Sequence, residues 1–156
     1  MTKGNSELVG GGSVRASFQC VDAIEISLCI EKEGLLFYES AAKKMQDPKI
    51  QKVFSRLADE EREHIQALQE KARFLQPAIM NRTRSKEHVH HFLMEELKGK
   101  IFPSSKDSSM QGIQNDRQAI ELGIDAEKKS IEVLQKLLEK EKKLDVKAIF
   151  LHLLVE

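Results

Sequence analysis

LADEEREHIQAL, Leu57 to Leu68, reads at first as a solvated helix surface, with four acids, an arginine and a histidine in its middle. Apolar residues flank it at helical spacing. Ile50, Phe54 and Leu57 precede it, and Leu68, Ala72 and Leu75 follow, in steps of three and four. The stripe therefore continues through the charged middle, and the residues standing in it there are Glu61 and His64.

The same pattern of one long amphipathic helix with an acid in its apolar stripe recurs on either side. From about Phe18 the spacing predicts a first helix with Ile24, Leu28, Leu35, Tyr38, Ala42 and Met45 on one stripe, and Glu31 fills its single gap. Asp47-Pro48 breaks that helix, with Asp47 suited to cap the next and Pro48 to open it. Pro77 is expected to end the second helix. A third starts near Asp116, with Ile120, Ile124, Ile131, Leu134 and Leu138 on its stripe, and here Glu127 fills the gap. Asp145 is expected to cap a short fourth helix carrying Val146, Ile149, Phe150 and Leu153. In the connection, KEHVHHFLMEELKG suits a short amphipathic helix with Val89, Phe92, Leu93 and Leu97 on one side. KIFPSSKDSSMQG reads as loop from its Pro, Ser and Gly content.

The two halves are a repeat. Shifted by 96 residues, AIEISLCIEK (Ala23–Lys32) lies on AIELGIDAEK (Ala119–Lys128), and KVFSRLADE (Lys52–Glu60) on AIFLHLLVE (Ala148–Glu156). Glu31 then pairs with Glu127, Phe54 with Phe150 and Leu57 with Leu153. The partners of Glu61 and His64 would fall beyond Glu156, so either the chain is a fragment or its site has fewer ligands. The expected architecture is an all-α four-helix bundle of two helix hairpins joined by a long crossover. The expected divisions are a flexible leader at 1–17 and a helical domain at 18–156. Within the domain, repeat one spans about 20–76, a connector 77–115 and a truncated repeat two about 116–156.

Composition narrows the classes of partner. Apolar residues make up 40% and charged residues 32%, which suits a helical domain with a charged exterior. Acids and bases are equal at 25 each, so no net field favours nucleic acid or an anionic membrane; a local basic patch is still open, for example around Arg82, Arg84 and Lys86. No apolar run is long enough to span a bilayer, and the N-terminus lacks the apolar middle of a signal peptide. Cys20 and Cys29, nine apart, match neither a zinc nor a redox spacing and read as reduced thiols of a cytoplasmic protein.

A carboxylate in an apolar stripe is costly unless it is paired or holds a metal. Glu31, Glu61, His64 and Glu127 occupy four such positions on three helices. Glu61 and His64 stand three apart and so emerge on one face, in the Glu-x-x-His spacing with which helix bundles hold two metal ions. A lone Glu-x-x-His arises by chance in charged helices. Its weight here comes from the stripe position and the two companion glutamates; the bland alternative is a bundle edge where both snorkel to water. Carboxylate and imidazole donors suit iron or manganese, with zinc as a substitute. His88, His90 and His91 read better as the polar face of a short helix than as a site, and His152 as surface.

IEKEGLLFYESAA followed by LADEEREH resembles the ferritin-like diiron-carboxylate superfamily, and specifically small rubrerythrin-like proteins. DAEKKSIEVL repeats the glutamate, and FLMEELKGKIFP looks like that family's connector; the resemblance covers about residues 20 to 156. It implies a ferritin-like bundle with Glu31 and Glu127 as terminal or bridging ligands, Glu61 bridging and His64 terminal. Tyr38, seven after Glu31, is implied as a hydrogen-bond donor beside the ligands. It also implies an oxidoreductase acting on peroxide, oxygen or ferrous iron. The paired CxxC motifs of a rubredoxin-like domain do not occur in this sequence, so an external electron donor is expected. The alternative is a non-enzymatic oligomerisation module with a degenerate or partly metallated site, expected as a homodimer, helix-swapped where the short fourth helix leaves the stripe open. An iron store ranks last.

Overall fold

The computed structural model describes residues 18–75 and 83–155, the second segment with side chains from Glu87 onward. The leader at 1–17, Pro77, Arg82 and the side chains of Arg84 and Lys86 lie outside what is described. Among the described residues all regular structure is helical: α1 (Cys20–Ala42), α2 (Pro48–Phe74), α3 (Thr83–Phe92, continued by a π turn at Leu93–Leu97), α4 (Ser108–Gln111), α5 (Asp116–Lys140) and α6 (Leu144–Val155). No described helix is long and apolar enough to cross a membrane.

Helix α1 is the hub. It packs along α2, and it also meets α3, the π turn, α5 and α6. It buries 13 of its 23 residues, whereas α2, with 27, buries only Phe54, Ala58, Ile65 and Leu68. A helix with neighbours on several sides needs more than one apolar stripe. The buried set of α1 accordingly widens beyond the expected line to include Val21, Ile26, Ile30, Phe37 and Ala41.

The helix ends follow from local chemistry. Asp47 Oδ1 accepts the Lys49 N–H at 2.8 Å, with Pro48 in the first turn where its missing N–H costs nothing. Asn115 caps α5 by accepting from the Gln118 N–H at 3.0 Å. One brace ties the halves together: Asp116 accepts the N–H groups of Gln46 and Asp47, each at 2.8 Å, across the α1–α2 turn. Helix α6 begins at Leu144, so Asp145 lies within its first turn and is not its cap. Its carboxylate takes the Val146 N–H at 2.9 Å and the Cys20 thiol at 3.1 Å. Both cysteines are free.

Helix α5 departs furthest from expectation. Its buried residues are Ala119, Gly123, Ala126, Ser130, Leu134 and Leu137, while Ile120, Ile124 and Ile131 are exposed, Ile124 at 51%. The small residues face the aromatic side of α1: a Cβ at Gly123 would meet Phe37 at 3.5 Å. The large side chains of α1 fill that interface, so α5 presents its small ones to it. The isoleucines that dominate the sequence pattern lie on the uncovered side. In the connector the expected apolar side is seen, with Val89 and Leu97 fully buried and Phe92 and Leu93 partly so.

Candidate metal centre

Glu31 sits midway along α1, the helix with the most neighbours, and is buried at 7% exposure. Glu61 and His64 come from the middle of α2, one turn apart, on the edge of that helix nearest α1. His64 Nδ1 lies 3.0 Å from Glu31 Oε2 and 3.7 Å from Glu61 Oε2. The shorter contact joins the His64 ring directly to the Glu31 carboxylate across the α1–α2 interface. Glu61 Oε2 is closed off from solvent.

One ligand atom from each of these three residues lies within 4.8 Å of the other two. Donors at about 2.1 Å from one ion stand roughly 3–4 Å apart, so the separations of His64 Nδ1 from Glu31 and Glu61, 3.0 and 3.7 Å, already lie in that range. Two carboxylates held this close in a poorly hydrated place repel each other. A cation between them removes that repulsion. The donor set and its spacing fit a hard or borderline metal ion.

Glu127, the fourth expected residue, is not in this group. It lies on the exposed side of α5, and its Oε1 accepts a short hydrogen bond from the Tyr38 hydroxyl. Tyr38 is buried at 3% exposure and packs against Phe37, Phe54 and Phe102. Its hydroxyl is held far above the ordinary phenol range, first by burial and then by the charge of Glu127, the hydrogen bond to it, and the charges of Glu61 and Glu31. All three carboxylates are therefore felt at one hydroxyl. Tyr38 joins the Glu31–Glu61–His64 group to Glu127, and it does so as a donor, since it keeps its proton.

The histidines of HVHH are exposed, and no second group of three converging His, Cys, Asp or Glu ligands occurs among the described residues. Cys20 and Cys29 are thiols pushed up to about 11 chiefly by burial, far from the thiolate form that binds metal. Gly34 and Phe102 also border the site, and the stripe pattern singled out neither: a Cβ on Gly34 would stand 3.2 Å from Glu61 Oε1 and 3.3 Å from Phe102 Cζ. The only signal in the sequence is a glycine inside a helix that would be more stable with alanine.

A protein-family model described as Rubrerythrin matches residues 22–156, which include every residue of the site. No curated protein and no solved structure matches the chain.

Proposed function

The chain belongs to the rubrerythrin family, and from that premise we propose that it is a non-haem metal protein of the diiron or dimanganese type, acting as an oxidoreductase on peroxide, oxygen or ferrous iron. The observation that supports this reading is the convergence of Glu31, Glu61 and His64 from two helices. These three would hold a metal ion, and Glu127, hydrogen-bonded to Tyr38, would be the further carboxylate available to a second. When bound, the metal supplies one-electron redox changes, and a pair of ions matches the two electrons that reduce hydrogen peroxide to water.

The chain's own residues set the conditions for that chemistry. His64 would offer Nδ1 to a metal with its ring proton on Nε2, the tautomer in which Nδ1 carries a lone pair. Tyr38 donates its hydroxyl to one oxygen of Glu127 and would orient that carboxylate. Phe37, Phe54 and Phe102 close the side of the site around Tyr38 and keep water from it. A reductant of the oxidised metal would complete the cycle.

The test is anaerobic loading with ferrous iron followed by rapid mixing with hydrogen peroxide. Ferric absorbance should rise much faster than with the Glu61→Ala/His64→Ala variant. Equal rates would contradict the assignment.

One observation favours a second reading. Ile120, Ile124 and Ile131 flank Glu127 on the uncovered side of α5. A helix from a second copy of the chain, packed there, would bury the isoleucines and cover Glu127. On this reading the chain is an oligomerisation module first, with the metal group as a partly filled remnant.

A further inference from the structure

We infer that Gly34 is a positioning residue: the missing side chain at this point of α1 is the seat into which the Glu61 carboxylate fits beside Glu31 and His64. This rests on the metal-centre reading above. Gly34 is buried in the middle of α1, three residues after Glu31, and has no turn or positive φ to justify a glycine. A glycine there weakens the helix relative to alanine, so something else must require it.

The space a Cβ would take is already filled. Glu61 Oε1 lies 3.2 Å from the ideal Cβ position, Glu61 Cδ 3.4 Å and Phe102 Cζ 3.3 Å. Two of the three nearest atoms thus belong to one carboxyl group. Phe102 is buried and held between Phe37 and Tyr38, with ring centroids at 5.7 and 5.9 Å. The ring is pinned, whereas the carboxylate is the far end of a flexible side chain. Alanine at 34 therefore moves Glu61 by a few tenths of an ångström, away from α1 and from Glu31. Metal sites tolerate errors of only about 0.2 Å in ligand distance, so a shift of that size matters at the ion even where the fold absorbs it.

Gly123 on α5 provides the internal control. Its Cβ would meet Phe37 Cε1 at 3.5 Å and Tyr38 Cε1 at 4.0 Å, both ordinary contacts. Alanine fits there, and it touches none of Glu31, Glu61 and His64.

The experiment compares the wild-type chain, Gly34→Ala and Gly123→Ala, each purified metal-free. Cobalt(II) is titrated by its visible absorption, thermal unfolding is followed by helicity, and the metal-free Gly34→Ala protein is crystallised beside the wild type. Cobalt affinity should fall by about tenfold or more in Gly34→Ala, the usual effect of disturbing a residue that supports a ligand, and stay unchanged in Gly123→Ala. The Glu61 carboxylate should be displaced in the metal-free crystal. Adding Phe102→Leu to Gly34→Ala removes the ring contact, protects the fold and leaves the affinity loss in place. Undiminished cobalt binding by Gly34→Ala, an unmoved Glu61, or affinity restored by Phe102→Leu each overturns the proposal. A wild-type chain that binds no cobalt overturns the metal reading instead, and the Glu61 displacement then decides the seat on its own.

Discussion

Tyr38 is the only tyrosine in the chain, so its ionisation can be followed without interference. Folding raises its phenol above the ordinary value of 10.0 by burial and by the neighbouring carboxylates. The sign follows: the stability this proton contributes is complete below the unfolded phenol's value. It is lost as pH rises past that value, because the unfolded chain ionises and the native one does not. The metal-free protein should therefore show no phenolate absorbance in the near ultraviolet until it unfolds, and the two transitions should coincide. A phenolate appearing near the ordinary value of 10.0 in a fully helical protein would show that Tyr38 is neither buried nor donating. At this scale much of the site was legible in sequence. Glu61 and His64 betrayed themselves by standing where apolar side chains belong, and Glu31 by the same fault in α1. Gly34 was not legible, because an absent side chain leaves no pattern. Nor was the direct bond between Tyr38 and Glu127, which depends on how α5 is rotated.

At the scale of elements, the hairpin turn between α1 and α2 depends on a residue 70 positions on in the sequence: Asp116 accepts both the Gln46 and Asp47 N–H groups. Replacing it with alanine removes a charged acceptor from two backbone donors and should destabilise the protein by about 1–2 kcal/mol, within the range for hydrogen bonds to charged groups. Urea unfolding measures it, and a midpoint unchanged from wild type would show that water replaces the brace. The long helices were legible throughout, because apolar residues recurring every three or four positions over several turns share one face only when the chain is helical. The capping at Asp47 was legible too, since a cap depends only on its immediate neighbours. The face of α5 was not. Periodicity ranks residues by size and apolarity and so picked Ile120, Ile124 and Ile131. The side of α5 that is buried carries Ala119, Gly123, Ala126 and Ser130, with Gly123 against Phe37 of α1. Helix α6 starts two residues before the place an Asp145 cap would set, and Asp145 instead accepts its own neighbour's N–H and the Cys20 thiol.

For the whole molecule, a central α1 with α2, α5 and α6 around it makes a bundle that is well covered on one side and open along α5. Exposed isoleucines in a row seek burial, and a second copy is the nearest source of an apolar helix face. Ile124→Glu should lower the sedimentation-derived mass of the chain toward that of a monomer with helicity retained; the same mass for both proteins would show that this face is not the interface. The charge balance, 25 acids against 25 bases, leaves such association unopposed by net repulsion. The bundle also sets where the candidate ligands meet: Glu31, Glu61 and His64 lie between the two helices with the most extensive contact, and Glu127 lies on the exposed side of α5. The central claim is that these three residues form a metal centre. The most direct test is metal content per chain by plasma mass spectrometry on anaerobically purified protein, beside Glu61→Ala/His64→Ala. The account predicts between about one and two iron or manganese ions per chain, as a two-metal carboxylate bundle would hold, falling to background in the double variant. Metal near zero in both proteins, or equal metal in both, would contradict it.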